Sequence, residues 1–228
     1  MAEIKVLSSI ATREAYLELV PQFERDSGHK VATTWSGTVD IMKRMAAGEV
    51  YDLVMVASRE VDELIRLGQL KAGSRVDLAQ CGIGVAVRSG APKPDIGSAD
   101  ALKRALLAAK SVGYTSGPSG VYIGGLVERM GIAAEVKAKF RTVPSGGTIG
   151  TVVASGECEI GFQQISELVH IKGIDVVGPL PAEVQRVTVF STGIPVGATY
   201  AAAAQALVKF LVSPAAQAEF KKHGLEAV

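Results

Sequence analysis

The sequence predicts a two-lobed α/β fold with a ligand cleft between the lobes. Three observations carry this prediction. Strand-like and helix-like stretches alternate from end to end, the alternation runs as two separate series, and the chain finishes on a helical segment. If that tail packs back on the first series, the chain crosses between lobes twice, near residues 79–82 and 181–189. The lobes would then be 1–80 with 190–228, and 81–189. Paired crossings of this kind suit a protein that closes about a hinge.

The first series opens with short aliphatic strands at 4–7, 30–35 and 52–56. Helical stretches at 13–27, 39–47 and 59–67 lie between and after them, with Gly28 and Gly48 expected to end the first two in a left-handed conformation. The character changes near Cys81. A strand at 82–87 leads through a segment containing Pro and Gly (89–97) to a helix at 99–109. Strands follow at 111–114, 140–143, 159–162, 175–177 and 186–191, with helices after Pro118 and Ser145. The alternation favours parallel strands. Residues 198–223 read as helical, broken at Ser213–Pro214, because Pro suits a new first turn.

Charge and composition exclude several classes. The 24 Lys and Arg nearly balance the 23 Asp and Glu, with no basic run, so a nucleic-acid surface is not expected. Aromatic residues are only 5%, too few for base-stacking platforms. Apolar stretches such as 198–206 fall well short of the ~20 residues a spanning helix needs, so the protein is not expected to be membrane-embedded. Cys81 and Cys158 are read as small buried residues, and a disulfide between them would require their Cα atoms to lie within ~7 Å. The histidines His29, His170 and His223 are scattered without metal-ligand spacing. No metal or cofactor is expected, and a monomer is. A strand starting almost at residue 4 leaves no signal peptide. Either an export segment has been removed and the protein is periplasmic, or it is cytoplasmic.

The informative features are four loops, each following a strand and opening a helix: Ser8-Ser9-Ile10-Ala11-Thr12, Ser36-Gly37-Thr38, Ser116-Gly117-Pro118-Ser119-Gly120 and Pro144-Ser145-Gly146-Gly147-Thr148. Ligands of open α/β sheets bind beyond the carboxyl ends of the strands. A helix start there offers free N–H groups and partial positive charge, each worth ~0.3–1 kcal/mol toward an anion. Capping alone accounts for any single loop of this composition. Four of one kind, spread over both series, favour an anion held by Ser8, Ser9, Thr12, Gly37, Thr38, Ser119, Gly120, Ser145, Gly146 and Gly147. None matches a Walker loop or a dinucleotide fingerprint.

Several segments resemble the bacterial molybdate-binding proteins of ABC importers. They are 6–23, the Trp35-Ser36-Gly37-Thr38 loop with Met45-Ala46-Ala47-Gly48 and Tyr51-Asp52-Leu53, the Pro118-Ser119-Gly120-Val121-Tyr122 turn, and the tail from Lys209 through Gln217 to Phe220 and Gly224. The resemblance implies a type II periplasmic-binding-protein fold and, as partners, a small oxyanion or carboxylate and an ABC permease. It places ligand contacts on Thr38, Ser119 and Gly146. The family's first-loop serine falls on Ala11, leaving Ser9 or Thr12 to substitute, and its tyrosine falls on Gln164.

Those departures, together with Arg13 just inside the first helix, open an alternative. A guanidinium there suits a carboxylate. Aconitate isomerase, an enzyme similar to this binding-protein family, moves a double bond in a tricarboxylate by shifting a proton. Such a reaction needs a general base, for which Tyr122, Glu167 and His170 are the candidates; Tyr122, Gln163 and Gln164 also offer polar contacts. A cytoplasmic effector-sensing domain is the remaining reading. Solute binding is the primary one.

Overall fold

The computed structural model describes every residue from Met1 to Val228. The chain divides into two compact units, Met1–Cys81 with Thr188–Val228, and Gly82–Val187.

In the first unit, β1 (Glu3–Ser9) runs parallel to β2 (Lys30–Ser36) and β3 (Leu53–Ala57), with α1 (Arg13–Ser27), α2 (Thr38–Ala46) and α3 (Ser58–Arg66) between and after them. Gly28 and Gly48 take positive φ, ending α1 and closing the turn after α2. The core of this layer is formed by Leu7, Ile41, Val54, Val56, Val61 and Leu64, all fully buried. The expectation of parallel strands fails at the chain's return: β9 (Val187–Gly193) lies antiparallel to β3. A strand that re-enters a unit from elsewhere need not follow the right-handed β-helix-β path that makes neighbours parallel.

The tail completes this unit as α9 (Ala201–Leu211) and α10 (Pro214–Lys222). Ser213 caps α10, its hydroxyl accepting from the Ala216 N–H, and Pro214 opens the first turn as the sequence indicates. Phe220 is fully buried, a contribution of roughly 1.5–3 kcal/mol. Asp52 is 2% exposed and accepts from the Lys5 and Tyr200 N–H groups. It therefore fastens β1 and the start of α9 to the end of the Tyr51-Asp52 segment.

β4 (Val76–Arg88) begins in the first unit and continues into the second, twice as long as the strand read from 82–87. In the second unit it pairs antiparallel with β7 (Ile160–Gln164) and β8 (Ile174–Pro179). β5 (Val112–Thr115) lies between β7 and β6 (Phe140–Val143), parallel to both. The helices here are α4 (Ala99–Ala108), α5 (Pro118–Arg129), α6 (Ala133–Lys137), α7 (Ile149–Ser155) and α8 (Ile165–Leu168). Helix α7 sits directly on glycines: a Cβ at Gly113 would lie 2.6 Å from the Ile149 side chain, and one at Gly161 would lie 2.6 Å from that of Val153. Cys81 and Cys158 are both free and buried.

Candidate functional site

In the first unit, the register of β1 on β2 sets Ser8 opposite Trp35 and Ser9 opposite Ser36, so the loops 8–12 and 36–38 leave neighbouring strands side by side. A 3-10 turn, Ile10–Thr12, is inserted before α1 and is capped by Ser9, whose hydroxyl accepts from the Ala11 N–H. Ser8 and Thr12 are fully buried. Their hydroxyls bond each other at 3.2 Å and both reach the Ser9 carbonyl, so they shape the loop from within. Arg13 is half exposed and lies 3.4 Å from Glu14. The Ser36 hydroxyl donates to Asp40, which also accepts from Arg44. Those bonds hold the Asp40 carboxyl below its ordinary range, Ser36 first and Arg44 second.

The Gly37 and Thr12 positions at the starts of α2 and α1 carry no side-chain cap. In the second unit, α5 begins at Gly117–Pro118 and α7 at Thr148, again without one. Serine caps do occur in this protein, on α4 through Ser98 and on α10 through Ser213. The cap positions of α1, α2, α5 and α7 therefore make no side-chain cap of their own, although Ser9 caps the turn before α1 and the Gln163 side chain takes up the Ile149 N–H of α7.

The second unit's loops are tied together more closely. The Ser116 hydroxyl accepts from the Ser145 N–H at 2.8 Å, and the Thr115 hydroxyl accepts from the Gly117 N–H. Ser119 and Gly120 are buried at the start of α5. Gly120 admits no side chain, since a Cβ there would lie 1.6 Å from the Thr115 carbonyl oxygen. Gly146 has φ +91°, a conformation that favours glycine. The helix expected directly after Ser145 begins only at Ile149, because the turn through Gly146 and Gly147 intervenes.

Behind that turn, Gln163 acts as a clamp. Its side-chain oxygen accepts from the Ile149 N–H at 2.8 Å, and its nitrogen donates to the Gly147 carbonyl and to Glu167. The Glu167 side chain is partly buried, and desolvation pushes its carboxyl up to about 7 against the opposing hydrogen bond from Gln163. The neighbouring Gln164, 4% exposed, ends β7 opposite Ile83.

Two sequence candidates are placed differently from a general base. The Tyr122 hydroxyl donates to the Val184 carbonyl at 2.9 Å, its ring packs on the unit's core, and Arg129 lies over that ring. His170 is exposed on the turn after α8. The Ser116 and Gln163 contacts escaped the sequence reading because each joins separate segments, whereas the Thr115 contact lies within its own loop. Only the hydroxyl and amide content of those segments signalled them.

The architecture is that of the type II periplasmic-binding-protein fold. The Azotobacter vinelandii periplasmic molybdate-binding protein shares that fold, with a TM-score of 0.83 over 99% of each chain at 19% identity. The chain belongs to the bacterial extracellular solute-binding protein family, whose model matches residues 4–226. In sequence it is 38% identical to an aconitate isomerase from Pseudomonas sp., across 99% of this chain and 88% of the relative. It is 26% identical to the molybdate-binding protein ModA of Azotobacter vinelandii, across 98% and 89% respectively. No helix of the chain is long and apolar enough to cross a membrane.

Proposed function

We propose that this protein is a solute-binding protein that takes a small anion at loops of small hydroxyl residues and glycines. The observation that carries the reading is the uncapped start of α1, α2 and α5, each entered from a loop of small hydroxyl residues and glycines. Backbone amides at such starts stabilise negative charge without a dense cationic cluster. Ser9, Thr38, Ser119, Gly120, Ser145 and Gly146 are the proposed contacts, with Arg13 available to a carboxylate. Membership of the family supports a periplasmic location and delivery of the anion to an ABC permease.

A thermal-shift panel of molybdate, tungstate, sulfate, citrate, cis-aconitate and trans-aconitate tests this. A ligand at about a hundred times its Kd stabilises the folded protein by ~2.7 kcal/mol. No shift with any of them refutes the anion reading. The Thr38→Ala and Gly146→Val variants are each expected to weaken anion binding, and unchanged affinity removes that residue from the site.

A second reading has its own support in the 38% identical isomerase and in Glu167. A carboxyl titrating near neutrality suits a general base. In this reading Glu167 removes a proton from a carbon next to the double bond of a tricarboxylate. The double bond moves one position and the same proton returns to the far carbon, so nothing else is consumed. Conversion of cis- to trans-aconitate, followed by chromatography, separates an enzyme from a receptor.

A further inference from the structure

We infer that the outer edge of β2 is a strand-addition surface for a second copy of this chain, and that Glu24 holds it shut. β2 ends the strand order and pairs with β1 alone. The Lys30 N–H donates to the Ala2 carbonyl, and the register runs unbroken from Glu3 opposite Lys30 to Ser9 opposite Ser36. Backbone groups of successive residues point to alternate sides of a strand. Lys30, Ala32, Thr34 and Ser36 therefore face β1, while Val31, Thr33 and Trp35 turn their N–H and carbonyl groups outward. The outward row holds two β-branched residues, an aromatic and no proline, a composition that suits an added strand.

That row is self-complementary, which is why the occupant is a second copy. Laid antiparallel on another β2 about a two-fold axis at Thr33, each Thr33 meets its mate and each Val31 meets the other's Trp35. Every outward N–H would then find a carbonyl across the axis. In this chain the match is broken at one group. The Glu24 carboxylate, reaching over from the last turn of α1, accepts from the Val31 N–H at 2.8 Å and from Lys30 Nζ at 3.3 Å. An added strand would leave its Trp35 carbonyl without a donor and set it against a carboxylate, and symmetry would repeat the fault. Covering the edge would also strip water from the Glu24 side chain, which is 23% exposed.

A second edge strand shows the same device. β6 pairs with β5 alone, and the Lys139 and Val143 carbonyls accept from Val112 and Ser116 beside it. The Phe140 carbonyl therefore points away from β5, and the Arg141 guanidinium donates to it at 3.0 Å. Each edge thus has one outward backbone group taken by a charged side chain of its own unit, as befits strands kept from pairing.

Amide hydrogen exchange, followed by NMR on the full chain, reads the edge directly. In the wild type Val31 is expected to exchange slowly and Thr33 and Trp35 fast; Val31 exchanging as fast as Thr33 overturns the inference. Glu24→Ala frees the Val31 N–H and removes the charge. It is expected to dimerise at least about tenfold more tightly than the wild type in analytical ultracentrifugation, with Thr33 and Trp35 becoming protected. Glu24→Gln keeps an acceptor oxygen for Val31 and is expected to associate no more than the wild type. A folded Glu24→Ala that stays as monomeric as the wild type, or a dimer in which Thr33 still exchanges fast, overturns the inference. So does Glu24→Gln associating as tightly as Glu24→Ala. Thermal melts check that both variants fold, and if Glu24→Ala does not, the wild-type exchange pattern decides.

Discussion

The 8–12 loop of the first unit is held from inside by hydroxyls, whereas the 144–148 loop of the second is held by the Ser116 hydroxyl and, from behind, by an amide bonded to a carboxyl. Ser8, Ser9 and Thr12 close a local ring of hydrogen bonds whose members are at most four residues apart. Gln163 and Glu167 instead support a turn some sixteen residues away. The first arrangement is insensitive to pH because hydroxyls do not titrate in the physiological range. The second contains a carboxyl that burial pushes up to about 7. Asp77 in the first unit and Glu167 in the second differ in sign: Arg75 and then Ser191 hold Asp77 below its usual range, while burial pushes Glu167 above it.

The sharpest way to break the comparison is to remove the second unit's closest backbone approach. Gly120→Ala would force a methyl group into the Thr115 carbonyl and is expected to cost more than about 3 kcal/mol, read by urea denaturation. The next effect distinguishes the two carboxylates. Because the Glu167 pKa is raised on folding, its stabilising contribution is complete below the unfolded value and lost as pH rises through about 7. Glu167→Gln should therefore raise stability by about 2 kcal/mol near pH 8 and change it little near pH 4, which a series of thermal melts would show. Asp77 has the opposite sign: its contribution is present above the unfolded value and disappears as pH falls through the lowered one.

Smaller effects sharpen the contrast. Thr12→Val removes a buried hydroxyl from the first loop and should cost roughly 1–2 kcal/mol at every pH. Arg13→Ala is expected to move stability by no more than about 0.5 kcal/mol, because the side chain is half exposed. Its readout is selectivity: weaker carboxylate binding with oxyanion binding unchanged, measured by calorimetry. Equal loss for both ligands would place Arg13 in a general electrostatic role.

Much of the architecture was legible because it is local. The four Ser-, Thr- and Gly-rich loops, the strand-helix alternation and the break at Ser213–Pro214 all follow from residue type and spacing, whereas the missing caps do not. What escaped the reading needs neighbours from elsewhere in the chain. The first half of β4, at 76–81, interleaves Asp77 and Gln80 with apolar residues, and its pairing partners include Glu226 in the tail. Helices α6 and α8 are only five and four residues long, too short to declare themselves by periodicity. At the site, Glu167 and Gln163 are four residues apart, but they lie on either side of the corner between β7 and α8. A helical spacing rule does not describe that corner, so the sequence offers Glu167 as a candidate without showing its partner.

The glycines beneath α7 carry a consequence for how this protein can change over generations. Gly113 and Gly161 let the helix settle against the strands, and the turn through Gly146 is carried at the depth the helix adopts. One added methyl in that floor would lift helix and turn together, altering the room available to a guest while every touching residue stayed the same. On the proposed contact at Gly146, preference for bulkier or slimmer solutes would drift through substitutions hidden under the turn, where inspection of contact residues alone would miss them.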